Sequence, residues 1–363
     1  MTSPASRTAA AASRPSSPPQ PSLPASSPTA GASRTPSEPP GPWADLARPP
    51  LRTAALRGGL VAPAGPLARL EVERRLGSTS TTLAERATAD PAAWPHLSVL
   101  LAEHQDAGRG RRGRAFATAP RAALTFSVLL RTPAGSAPHL PWLPLLAGLA
   151  VVQVLRRRAG VQAVLKWPND VLLPPPPAGS GGAGVHAAPP PAKVCGLLAE
   201  VLPPSVPDDS AAEVGSGAGG LAVVLGVGLN VDASVEELPP GATSLRLAGA
   251  ATTDRDTLLR ALLRRLADLW ADWRALPPGP GPGDPSGGPA PPGAALAGLT
   301  DPVREVCATL GQDVRVLLPG GEVVAGRAES LAADGALVVR TPSGTRTLLA
   351  GDVEHVRPHA GPS

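Results

Sequence analysis

The residues with the most chemistry per position lie between Glu103 and Arg114, in the run EHQDAGRGRRGR. From Gly108 to Arg114, four arginines (Arg109, Arg111, Arg112, Arg114) are interleaved with three glycines (Gly108, Gly110, Gly113). Glycine permits close backbone approach and tight turns, and a guanidinium binds a carboxylate or a phosphate through two parallel hydrogen bonds. Such a loop can wrap an anion. The same composition also suits a basic nucleic-acid arm or a localisation patch, so the loop alone leaves both readings open.

A scarcity elsewhere in the chain bears on that choice. Of 33 basic residues only two are lysine, Lys166 and Lys193, and only two asparagines occur, Asn169 and Asn230; there is no isoleucine or tyrosine. A GC-rich coding sequence writes arginine for lysine and valine or leucine for isoleucine wherever physics is indifferent. Where lysine and asparagine persist, a site is expected to need them. Both lysines and Asn169 fall between 166 and 193, and Asn230 closes the glycine-containing run GVGLN.

Positioning these residues requires a frame. Leu70 to Leu76 alternates like a strand, and GSTSTTLAERA turns into a helix for which Ser78, Thr79 and Ser80 are competent N-caps. Apolar runs at 97–102 and 122–132 flank the basic loop, so it is expected to open on two buried strands, a rigid base suited to a binding site. A helix is expected over 142–158 with Gly160 as its stop. AVLKWPNDVLL reads as a strand broken at Pro168, and KVCGLLAEV (193–201) forms a hairpin with it across a Pro/Gly-rich tip at 174–192. LAVVLGVGLNV (221–231) is a strand whose Gly226 and Gly228 admit a close neighbour. An amphipathic helix runs over 254–276, with Trp270 and Trp273 on one face. From Gly311 onward, five short β-runs separated by turns fit a small barrel with a packing or docking role.

Composition bounds the whole. Residues 1–66 are rich in Pro, Ser and Ala and are expected to form a disordered leader; domains are expected at 67–276 and 295–357, joined by a Pro/Gly linker over 277–294. The net charge of +4 is modest, so the arginines do not demand a nucleic-acid partner. Two cysteines, Cys195 and Cys307, have no metal-ligand spacing around them and fit a reduced compartment. No apolar run reaches the length of a membrane span, and the reading is of a cytoplasmic protein with no membrane partner.

Taken in order, GSTS, QDAGRGRRGR, KWPND, KVCG with Glu200 following, and GVGLN resemble the biotin protein ligase family over about residues 70 to 357. The resemblance implies an α+β fold, a mixed sheet with helices like that of class II aminoacyl-tRNA synthetases, followed by an SH3-like β-barrel. It implies that biotin and ATP, with Mg²⁺ on the nucleotide, form biotinyl-5′-AMP, and that biotin then passes to a lysine of a biotin carboxyl carrier domain. By that resemblance Lys193, Arg111 and Arg109 are catalytic. Ser78, Thr79, Ser80, Gln105, Gly110 and Gly196 join them around biotin, and Lys166, Asn169, Asp170 and Asn230 face the nucleotide. No direct metal ligand is named, no winged-helix DNA-binding segment is expected, and a homodimer is left open.

Two positions depart from the family pattern: Ser80 stands where asparagine is usual, and Phe116 where tryptophan is usual. Phenylalanine keeps the aromatic face without the indole donor. Two other readings are set against this one. A lipoate or octanoyl protein ligase shares the fold and the acyl-adenylate logic, and a nucleic-acid binder would use the arginine loop with interleaved aromatics, which make up only 2% of this chain.

Overall fold

The computed structural model describes residues 48–133, 135–175, 189–203, 220–276 and 294–355. The leader up to residue 47, most of the hairpin tip and nearly all of the 277–294 linker lie outside the described residues. The first domain is built on a sheet of seven strands: β1 (Arg69–Glu73), β2 (Ser98–Ala102), β3 (Ala123–Arg131), β4 (Val164–Lys166), β5 (Asp170–Leu173), β6 (Ala192–Val201) and β7 (Ala222–Asn230). Their order is β1-β2-β3-β7-β6-β5-β4, with β1 and β2 parallel and every other neighbour antiparallel.

Helices cover both faces, which is why the central strands read as unbroken apolar runs. On β2, Val99 and Leu101 join the larger core while Leu100 joins a smaller one with Leu83, Leu129 and Val224. The smaller core lies under α2 (Thr79–Ala89), and the larger under α3 (Trp142–Val154) and α4 (Arg255–Arg274). In α3 every residue but Pro144 and Gln153 is buried, as expected of a helix apolar all round. A π-turn over Leu155–Ala159 extends it to Gly160, the left-handed stop expected from sequence. Asp254 caps α4 by accepting from the Thr257 N–H at 3.0 Å.

Two expectations need correcting. The leader does not extend to residue 66: Thr53–Leu60 forms α1, and Leu56 and Leu60 are fully buried in the larger core. Its two inward leucines are too few to register as periodicity, and its anchors are distant in sequence. The main chain of Leu51 donates to Glu103 at 2.7 Å, and Arg255 donates to Pro49 O at 2.7 Å while pairing with Glu103 at 2.6 Å.

The second correction concerns the C-terminal region. Strands β8 (Asp313–Leu317), β9 (Val323–Leu331), β10 (Leu337–Thr341), β11 (Gly344–Leu348) and β12 (Asp352–His355) make the expected five-stranded antiparallel sheet, ordered β11-β10-β9-β8-β12. Residues 295–306, assigned to this domain from sequence, instead belong to a helix, α5 (Ala294–Val306), that packs on α3, α4 and β4. Barrel residues Val316, Leu337 and Val353 belong to the same core as the first domain. The indoles of Trp142 and Trp167 donate to Ala333 O and Gly335 O at 2.8 and 3.0 Å. The barrel therefore shares a core with the larger sheet.

Candidate active site

A cavity of about 580 Å³ opens over the α2 side of β6 and β7. Every site residue expected from sequence lines it except Lys166: Ser78, Thr79, Ser80, Gln105, Arg109, Gly110, Arg111, Asn169, Asp170, Lys193, Gly196 and Asn230.

The floor is set by two absent side chains. In the register of β7, Val224, Gly226 and Gly228 alternate toward this face. A Cβ on Gly226 would stand 2.6 Å from Ser80 Oγ, and one on Gly228 2.5 Å from the Phe116 ring. Both are closer than real Cβ contacts, so the glycines let a hydroxyl and an aromatic ring lie against the sheet. Phe116 thus keeps a packing role in which an indole donor is not required.

The polar wall at the start of α2 is a closed network. Ser78 caps the helix, accepting from the Thr81 N–H at 3.4 Å, and Gln105 Oε1 accepts from the Thr79 N–H at 2.7 Å. Ser127 Oγ donates to Thr79 Oγ1 at 2.8 Å and lies 3.0 Å from Ser80 Oγ. Ser78, Thr79, Ser80, Gln105 and Ser127 are all buried, where hydroxyls demand partners. Ser127 was not singled out from sequence. Its only signal is that Thr125 and Ser127 are the polar alternates within ALTFSVLLR.

The arginine loop is a tight hairpin. The Phe116 N–H donates to Gly108 O at 2.8 Å, and the Gly110 N–H to Arg114 O at 2.7 Å. A Cβ on Gly108 would meet Phe116 O at 2.1 Å, which requires glycine there. The hairpin tip rests on the barrel: Arg111 donates to Asn169 Oδ1 and Gly351 O, both at 3.2 Å, and Arg114 pairs with Asp352 at 2.6 Å. Asp352 also lines the cavity. The barrel therefore supplies part of the site's wall, beyond the packing or docking role expected of it.

Lys193 Nζ lies 2.6 Å from Asp170 Oδ1, an ion pair off the angles of a hydrogen bond, and 3.1 Å from where a Gly196 Cβ would sit. Asn230 Nδ2 donates to Thr243 O at 3.0 Å and Asn169 Nδ2 to Leu197 O at 2.6 Å, so both asparagines brace the backbone beside the cavity. Lys166 is set back, opposite Asp170 in the β4–β5 hairpin. Burial pushes its ammonium below the ordinary lysine range and the Lys193 charge adds to this, while Asp170, Asp352 and Glu354 oppose it. Cys195 lines the cavity, but burial pushes its thiol up to about 12, which keeps it protonated and inert.

The charges left over decide what the cavity can bind. Its three carboxylates are each engaged: Asp170 with Lys193, Asp352 with Arg114, and Glu237 with Arg48. Arg109 has no side-chain partner among the described residues. The net offer is positive charge beside a polar wall, which suits two anionic groups brought together. The segment Glu237–Ala242, also unforeseen as a site element, forms the remaining side.

Comparison with known proteins gives a consistent picture. Residues 72–203 match the sequence model of the Biotin/lipoate A/B protein ligase family, and residues 309–356 that of the Biotin protein ligase C terminal domain. The biotin-[acetyl-CoA-carboxylase] ligase of Mycobacterium tuberculosis is 35% identical over 316 residues, covering 86% of this chain and 98% of that protein. The enzyme of the same description from Paracoccus denitrificans is 33% identical over 210 residues, covering 55% of this chain and 72% of that protein. Among solved structures, the biotin protein ligase from Aquifex aeolicus in complex with biotin and ATP shares the fold, with a TM-score of 0.54 at 23% identity over 80% of this chain and 99% of that one.

Proposed function

The chain belongs to the biotin-[acetyl-CoA-carboxylase] ligase family, and from that premise we propose how its own residues carry the reaction. It is an ATP-dependent biotin protein ligase. In the first step a carboxylate oxygen of biotin bonds to the α-phosphorus of ATP and pyrophosphate leaves. In the second, a lysine amine of a biotin carboxyl carrier domain attacks the acyl carbon and AMP leaves.

One observation supports the residue assignment above others: Lys193, the 109–111 hairpin, and Thr79 and Ser80, whose hydroxyls are held from behind by the buried Ser127, line a single cavity. Adenylation brings a carboxylate against a phosphate, and the barrier is largely their mutual repulsion. Lys193 offers a compact ammonium that can follow charge from one oxygen to the other as the bond forms. Arg109 supplies a second, uncommitted cation. Arg111 exchanges its Asn169 and Gly351 contacts for the substrate anion, and the hairpin then shields the mixed anhydride from water. The hydroxyls at 78–80 and the amide of Gln105 face the ureido ring, where buried donors and acceptors discriminate. Asn169, Asp170 and Asn230 hold the nucleotide side, with Lys166 acting through Asp170.

A magnesium ion fits as a companion of the nucleotide and not as a resident of the protein. Magnesium keeps several waters and takes one or two carboxylates besides substrate phosphates. The cavity offers Asp170, whose Oδ1 makes no hydrogen bond and would share its charge between the Lys193 ammonium at 2.6 Å and the ion, and no cluster of three metal-ligating side chains occurs among the described residues. Bound there, the ion would neutralise triphosphate charge. Cys195 and Cys307 are both free and buried, which suits a reducing compartment and a cytoplasmic enzyme.

The test is transfer of labelled biotin to a carrier domain with and without ATP, alongside pyrophosphate release with biotin or lipoate. ATP-dependent labelling, and release with biotin only, is the expected result. Release with lipoate of equal efficiency would overturn the substrate reading.

A further inference from the structure

Arg48 comes from the stretch that sequence composition assigns to a leader, yet its guanidinium reaches the wall of the cavity. Nε donates to Asp232 Oδ2 at 2.9 Å, Nη1 to Glu237 Oε1 at 2.9 Å, and Nη2 to Glu237 Oε2 at 2.6 Å and to Asp232 O at 2.8 Å. Each contact joins residues more than 180 positions apart. The Glu237 carboxylate also accepts from the Ser234 N–H at 2.8 Å, and the second oxygen of Asp232 is held by Arg246 at 3.2 Å. One planar fork therefore gathers both ends of the 232–237 turn.

That turn continues directly into the site. Glu237, Leu238, Pro239, Pro240 and Ala242 line the cavity. The segment then grips the backbone of Lys193 from both sides: the Lys193 N–H donates to Gly241 O at 2.9 Å, and the Thr243 N–H to Lys193 O at 2.8 Å. Between Val231 and Asp254 the chain forms no helix or strand. Ordering such a stretch costs backbone entropy at every residue, so contacts from outside it help to hold it. The other end of the strut is firm, because the buried Arg255 fixes Pro49 O while paired to Glu103, and Arg52 pairs with the buried Asp256.

We propose that Arg48 is a positioning residue for the ligase reaction: it pre-organises the Asp232–Thr243 wall of the cavity and, through it, the backbone of Lys193. The proposal rests on the reading of this cavity as the biotin and ATP site. A lysine could neutralise one carboxylate but could not span Glu237, Asp232 and a carbonyl at once, so the geometry requires the guanidinium. A wall that is ordered only part of the time lowers apparent affinity in proportion to the time it is ordered, while leaving the chemistry of the ordered fraction unchanged.

The experiment compares the full chain with Arg48→Ala and Arg48→Lys. Amide hydrogen exchange without substrates is expected to quicken across 233–243 in both variants and to stay unchanged in α2 and α3. The KM for ATP in biotin-dependent pyrophosphate release is expected to rise roughly tenfold, with kcat within about twofold and a melting temperature close to that of the parent. In the Arg48→Ala background, Glu237→Gln is expected to add little, since the pair acts as a unit. Unchanged exchange across 233–243 overturns the proposal. So does a full rescue by lysine, or a fall in melting temperature with kcat and KM shifting together, the mark of a merely structural residue. If the parent chain releases no pyrophosphate at all, the reading of the cavity fails, whereas the exchange result still decides whether Arg48 orders the wall.

Discussion

Replacing Lys193 by methionine removes one ammonium and keeps most of the stem, so its effect can be worked from the structure. Two unit charges about 4 Å apart interact by about 4 kcal/mol at an effective dielectric of 20 and by about 1 kcal/mol in water. The Lys193 side chain is 39% exposed, so the free site lies between these limits, and a bound substrate that excludes water moves it toward the upper one. At a decade of rate per 1.36 kcal/mol, the expected loss in adenylation is about 10²- to 10³-fold. Asp170 adds to the loss, because without its partner at 2.6 Å it repels the incoming carboxylate. The assay is biotin-dependent exchange of pyrophosphate into ATP at saturating substrates, which reads the first step without an acceptor protein. The backbone bonds of Lys193 to Gly241 and Thr243 do not involve the side chain, so the fold is expected to survive. Exchange within about threefold of the parent rate would refute the charge-following role.

Leu60→Ala in α1 is expected to cost about 2–5 kcal/mol in chemical denaturation, since the side chain is fully buried, whereas a leader that packs against nothing would give no change. Gly228→Ala is expected to displace the Phe116 ring and raise the KM for biotin at least several-fold, and Phe116→Ala in the same chain should recover part of it; equal KM values would show that the ring does not pack over the ligand. Burial first, and then the charges of Arg274 and Arg131, hold the His96 imidazole down at about 4, below its ordinary 6.5. Because the unfolded chain takes up this proton first, the stability it contributes is complete above pH 6.5 and drains away as pH falls toward 4. Melting temperatures across that window should slope less steeply in His96→Gln.

Much of the frame was legible because apolar runs and turn residues are local signals. The strand at 122–132, the helix stop at Gly160 and the five barrel strands all follow from them. The site was legible for a different reason: in an arginine-rich chain, Lys193, Asn169 and Asn230 stand out by type, and all three reach one cavity. What could not be read is what depends on long-range pairing. Arg48 meets Asp232 and Glu237 across 184 and 189 positions, with no periodicity to announce it. Likewise Asp352 opens a barrel strand like any turn-flanking acid, and only the folded chain brings it to Arg114. Ser127 sits in an apolar run, where a lone hydroxyl reads as tolerated and not as a partner for Thr79 and Ser80.

The indole bonds from Trp142 and Trp167 to the 333–335 turn have a consequence for how the molecule can be cut. A chain ending at α5 would strand two buried N–H donors and bare the Trp142 and Trp167 indoles that the barrel covers, so it is expected to aggregate instead of yielding a smaller working enzyme. Heating should accordingly melt both halves in one cooperative step. An acceptor protein meeting this enzyme thus encounters a mouth whose rim is contributed by two folds that cannot come apart without losing both.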